Sequence, residues 1–158
     1  MLTVNLIAVG KLKEGWMRDG LGEYAKRLAG YCRFTVTELE EFRLPENPAP
    51  AQIAKGLEAE GDSILAAVGK AELIALCIEG TALTSPQLAE ELGKLSQTAS
   101  RICLVIGGSY GLCDRVKQRA RLRLSLSKMT FPHQLFRVML AEQLYRAFSI
   151  AAGGKYHK

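Results

Sequence analysis

Ile102-Cys103-Leu104-Val105-Ile106-Gly107-Gly108-Ser109-Tyr110-Gly111 says more about the fold than any other stretch of this chain. Five apolar residues without a polar break suit a strand buried on both faces, as in a parallel sheet covered by helices. The strand runs without a spacer into glycines, where the backbone can adopt positive φ and approach a ligand with no Cβ in the way. Taken alone, the GGxxG pattern reads as a tight turn with no ligand.

On either side of this run, strand-like and helical patterns alternate to both ends of the chain. Strands are expected at residues 3–9, 34–39, 73–78, 102–106 and 122–126, and helices at 16–29, 51–68, 114–121 and 132–152. Another helix starts near Thr84-Ser85-Pro86-Gln87, where a hydroxyl cap, an early proline and a glutamine three residues after the cap are start signals. Parallel strands need crossover connections, so the alternation predicts an α/β fold, one domain with a mainly parallel sheet flanked by helices. The third strand should end at Glu79-Gly80, and residues 43–50, with three prolines, should form an exposed loop. In the fifth strand, Leu122, Leu124 and Leu126 should face the core, with Arg121, Arg123 and Ser125 in water. The closing helix is apolar nearly all round, with Phe136, Leu140, Leu144 and Phe148 exceeding what one face can hide, which suggests a homodimer.

The 158 residues suffice for one sizeable core, and no apolar run is long enough to span a membrane, so a cytoplasmic protein is expected. The four cysteines include no CxxC pair and read as reduced, mostly buried thiols. His133 and His157 have no partners at ligand spacing, so no metal site is expected. Charge is uneven: residues 1–33 carry 6 Lys/Arg against 3 Asp/Glu, residues 34–100 carry 4 against 11, and residues 101–158 carry 11 against 2. A basic last third suits a polyanion, and it equally suits a solvated helix face balanced by the acidic middle.

In open α/β sheets ligands bind beyond the carboxyl ends of the strands. Three turns therefore draw attention: Leu76 to Gly80, Ile106 to Gly111 and Leu126 to His133. A Rossmann reading is disfavoured because the glycines follow the fourth strand and are not GxGxxG, and GxxxxGK[ST] is absent. His133 can cap the closing helix and pair with Arg137, and Glu142 and Arg146 have helix ion-pair spacing. The tail, Gly153-Gly154-Lys155-Tyr156-His157-Lys158, reads either as a frayed terminus or as an RNA-contacting arm on a flexible glycine hinge.

Several pieces taken in order resemble one family. They are Val4-Asn5-Leu6-Ile7-Ala8-Val9-Gly10-Lys11, Leu104 through Leu112, Leu124 through His133, Arg137 through Ala147, and the ending Tyr156-His157-Lys158. Their order, spacing and terminal position are similar to the ribosomal RNA large subunit methyltransferase H family over the whole length. The resemblance implies a SPOUT fold with a C-terminal trefoil knot, binding S-adenosylmethionine in the knot. It maps the cofactor contacts onto Leu76, Gly107, Gly108, Leu126, Ser127, Lys128, Met129, Thr130 and Phe131, largely through main chain. It also implies a homodimer that acts on the assembled ribosome and methylates N3 of a pseudouridine in large-subunit RNA. Tyr156, His157 and Arg146 are then the expected catalytic groups. A non-catalytic ribosome-binding factor is the rival reading, and saturable binding of S-adenosylmethionine separates the two.

Overall fold

The computed structural model describes all residues 1–158. Ten elements follow in order: β1 (Thr3–Val9), α1 (Gly15–Leu28), β2 (Arg33–Leu39), α2 (Pro50–Val68), β3 (Glu72–Ala82), α3 (Ser85–Thr98), β4 (Arg101–Ile106), α4 (Asp114–Arg119), β5 (Leu122–Ser125) and α5 (His133–Ala151). The five strands form one sheet in the order β2-β1-β4-β3-β5, and every pair is parallel. This is the α/β architecture expected, with β1 and β4 adjacent and buried at its centre.

The sheet separates two apolar layers. Val4, Leu6, Ile74, Ile102, Leu104 and Leu124 pack with Leu28 of α1, Leu88, Leu92 and Leu95 of α3, and Leu140 and Leu144 of α5. Ile7, Val9, Leu73, Cys103 and Val105 pack on the other face against Ile64 and Val68 of α2 and Val116 of α4. Alternate residues of β1 and β4 thus serve opposite layers, which is why both strands are mostly apolar, and the buried Asn5 is accommodated because its Oδ1 accepts from the Thr37 hydroxyl at 3.1 Å. The α3 start signals are realised: Thr84 Oγ1 accepts from Gln87 N–H at 3.2 Å while Gln87 Oε1 accepts from Thr84 N–H at 2.8 Å. All four cysteines are buried and free. No helix is long and apolar enough to cross a membrane.

Four expectations need correction. β3 does not end at Glu79-Gly80 but continues to Ala82, because Leu124 pairs with both Leu76 and Thr81 and the four residues between them loop outward. Ser125 is buried, not wet, because its hydroxyl donates to Ser127 C=O at 3.1 Å. Arg137 does not pair with His133: its guanidinium lies 1 % exposed, bonded to Glu38 Oε2 at 2.9 Å and to the carbonyls of Val9 and Gly10 at 3.1 and 2.9 Å. Pro132, not His133, occupies the α5 cap.

The Gly-Gly of the tail is also more structured than a free hinge. Gly153 adopts φ +73°, its N–H donates to Ile150 C=O, and Gly154 N–H donates to Ser149 C=O at 2.8 Å. These are the two bonds of a Schellman terminator, which ends α5 and turns the tail back along it. A Cβ on Gly154 would lie 2.5 Å from Ser149 Oγ and 3.1 Å from its carbonyl oxygen, so the second glycine eases that close return.

Candidate functional site

The carboxyl ends of β3, β4 and β5 open into a cavity of about 550 Å³, within the usual size of a small-molecule site. Three turns wall it, and each has a local reason for its shape. The glycine turn after β4 closes on itself through a Gly108–Gly111 bridge, with Gly111 N–H donating to Gly108 C=O at 3.1 Å. A Cβ on Gly107 would lie 2.3 Å from the Gly111 carbonyl oxygen, so its bare backbone is required by the turn itself. The positive φ anticipated at Gly107 or Gly108 falls instead on Gly111, at +81°.

The β3 turn crosses β5 at very short range. A Cβ on Gly80 would lie 2.8 Å from the carbonyl carbon and oxygen of Arg123. Glu79, on the same loop, pairs with Lys117 at 2.6 Å, and that hydrogen bond holds its carboxyl below the ordinary range. The turn after β5 is braced by Ser127, whose hydroxyl accepts from Met129 N–H at 2.9 Å, and by an edge-on contact of Phe131 with Phe136 at 5.7 Å.

Leu76, Gly107, Gly108, Leu126, Ser127, Thr130 and Phe131 all line the cavity. Lys128 and Met129 stand outside its wall, and Met129 is 73 % exposed. Cys77, Glu79 and His133, within the turns singled out from sequence, also line it, whereas Lys117 of α4 and Phe136 of α5 were not foreseen. His133 is held below its ordinary value by burial and then by Arg137, with Glu41 opposing them.

Arg146, Tyr156 and His157 come together elsewhere, around Glu142. Arg146 Nε donates to Glu142 Oε1 at 2.9 Å, Tyr156 O–H donates to the same oxygen at 3.2 Å, and Arg146 Nη1 lies 3.2 Å from His157 Nδ1. A guanidinium has no lone pair to offer, so that contact requires His157 to accept at Nδ1 and carry its proton on Nε2. The Tyr156 ring packs edge-on to Tyr145 at 4.8 Å, with the Arg146 guanidinium 4.7 Å from its centre. Burial, then hydrogen bonding to Tyr24 and the Glu142 charge, push the Tyr156 hydroxyl up to about 12. None of the three lines the large cavity. Glu142, the partner of Arg146 and Tyr156, lines a neighbouring cavity of about 350 Å³ that shares Leu124, Ser125 and Leu126 with it. The spacing of Glu142 and Arg146 was legible as a helix pair; the convergence of the tail upon it was not.

A family model described as predicted SPOUT methyltransferase matches residues 2–157 of this chain. Solved structures with the same fold include a probable methylase family protein from Haemophilus influenzae Rd KW20, at TM-score 0.56 and 15% identity, covering 99% of this chain and 70% of that one. Another is the tRNA (m1G37) methyltransferase from Aquifex aeolicus, at TM-score 0.54 and 15% identity, covering 91% of this chain and 69% of that one. These define the class as SPOUT methyltransferase. Among curated relatives, the ribosomal RNA large subunit methyltransferase H of Bacillus pumilus is 45% identical over 99% of this chain and 100% of its own length. That of Pelotomaculum thermopropionicum is 46% identical over 99% of each. The chain belongs to the ribosomal RNA large subunit methyltransferase H family.

Proposed function

We propose that this chain, as one SPOUT methyltransferase domain spanning residues 1–158, methylates N3 of a pseudouridine in large-subunit ribosomal RNA. The substrate is the assembled ribosome, the methyl donor S-adenosylmethionine, and the working form a cytoplasmic homodimer. The observation that carries this reading is the cavity walled by the three turns, in a chain about 45% identical to the named methyltransferases across its length. The close crossing of Gly80 over β5 supports a trefoil knot, in which the chain threads through this region.

The wall suits the donor. Main chain of the glycine turn and of residues 126–131 offers amides and carbonyls to a purine edge, and Leu76, Ile106 and Phe131 offer apolar faces. Lys128 and Met129 contribute through the shape of their turn. When bound, S-adenosylmethionine supplies a sulfonium-activated methyl group. Positive charge around it is limited, because Lys117 is paired with Glu79 and burial disfavours the charged form of His133.

The acceptor imide must lose its N3 proton, which passes to solvent, to expose a nucleophilic lone pair. Arg146 and the His157 Nε2–H are donors rather than bases, with the single Tyr156 proton committed to Glu142 Oε1. With its hydroxyl pushed up to about 12, Tyr156 remains protonated at neutral pH. The two donors stabilise the imide anion and so favour its formation. Glu142 acts as a positioning residue that fixes Arg146 and Tyr156. Calorimetry tests the cofactor half of the proposal: saturable binding of S-adenosylmethionine, not competed by NAD or ATP, is expected. No binding would favour a non-catalytic ribosome-binding factor.

A further inference from the structure

The loop of residues 10–14 leaves β1 beside the glycine turn, for a Cβ on Gly108 would lie 3.4 Å from Val9 Cγ1. It is firmly fastened. Leu12 N–H donates to Glu38 Oε2 at 2.7 Å, Lys13 N–H to Gln134 Oε1 at 3.3 Å, and Arg18 Nη1 to the carbonyls of Leu12 and Lys13 at 3.2 and 2.8 Å. Leu12 and Met17 anchor it from beneath as buried residues. What this rigid loop and the start of α1 present outward is Lys11, Lys13 and Trp16. Both lysines are exposed with unpartnered side chains, and Trp16, the only tryptophan, is 61 % exposed.

Most cations of the basic last third are occupied within the fold. Of the eleven Lys/Arg in residues 101–158, eight bond to carboxylates or carbonyls, leaving Lys128, Lys155 and Lys158. The basic last third therefore offers phosphate far less free charge than its composition suggests.

We propose that the β1–α1 loop is a docking surface for the RNA substrate, with Trp16 stacking on an unpaired base and Lys11 and Lys13 holding the flanking phosphates. This rests on the ribosomal RNA methyltransferase reading. A fixed aromatic platform with cations beside it is how proteins hold unstacked nucleotides. Glu14 and Asp19 lie on the same stretch without partners, so the indole carries more of the interaction than the charge does. The position beside the glycine turn brings the docked strand alongside the cavity.

The test is co-sedimentation of the full chain with ribosomes lacking the modification, at several salt concentrations, together with methyl transfer in the same samples. Trp16→Ala should weaken ribosome binding by roughly 5- to 150-fold, the range for loss of one stacked base, while Trp16→Phe retains most of it. Lys11→Ala combined with Lys13→Ala should reduce the salt slope of log K by about 1.4 to 1.8. S-adenosylmethionine affinity should be unchanged throughout. Wild-type binding and salt slope in these variants would overturn the inference, as would a wild-type chain that fails to sediment with ribosomes. So would light scattering that finds Trp16→Ala dissociated into monomers, since a second copy would then cover the indole. A wild-type chain that binds through this loop but transfers no methyl group would defeat the methyltransferase reading and leave the docking surface standing.

Discussion

Gly107 cannot carry a side chain, because its Cβ would fall 2.3 Å from the Gly111 carbonyl oxygen. Gly108 has more room, with Glu41 Oε1 at 3.3 Å and Val9 Cγ1 at 3.4 Å from the same construction. Gly107→Ala should therefore cost about 3 kcal/mol or more and abolish S-adenosylmethionine binding, whereas Gly108→Ala should cost about 1 kcal/mol. Chemical denaturation and calorimetry on both variants check this order, and equal costs would contradict it. His133 supplies a second prediction. Its folded value lies below the ordinary 6.5, so the unfolded chain takes up a proton near that pH while the folded chain does not. Stability is then lost as pH falls through about 6.5, and His133→Gln should flatten part of that loss. Urea midpoints at about pH 7.5 and about pH 5.5 read the difference; an unchanged pH dependence in the variant would refute it.

At the scale of elements, α5 links the two halves of the site. Its first turn borders the large cavity, Arg137 secures it to the end of β1, and Glu142 gathers the returning tail. Arg137→Leu would leave two carbonyls without their buried donor while Glu38 stays partly in water, and about 1–3 kcal/mol of destabilisation is expected from denaturant titration. Glu142→Gln weakens the hold on Arg146 and Tyr156. Methyl transfer should fall roughly 10²-fold with S-adenosylmethionine affinity nearly unchanged, and parallel losses of both would show a merely structural role. The strands, the helices and most of the cavity wall were legible because local apolar runs, caps and glycines encode them. The β3 extension was not, since it exists only by pairing around β5. Nor was the burial of Arg137, whose carboxylate partner is Glu38 on a distant strand. Glu142 was legible as a helix ion pair but not as the point where a Schellman turn returns the tail.

For the whole molecule, the monomer revises the grounds for a dimer. Leu140 and Leu144 are fully buried, Phe136 packs on Phe131, and Phe148 stacks on Tyr31 at 5.9 Å, so all four residues find partners within one chain. The apolar flank left half-buried on α5 includes Leu135, Met139 and Ile150. If that flank is the dimer contact, Met139→Glu should yield monomers by light scattering, and an unaltered dimer would place the interface elsewhere. The central claim is methyl transfer to the ribosome, and the direct measurement combines purified protein, S-adenosylmethionine and ribosomes lacking the modification, followed by mass mapping of the RNA. The account predicts one added methyl group, at N3 of a single large-subunit pseudouridine. RNA left unmodified by an active, cofactor-binding protein, or a methyl group on another base, would contradict it.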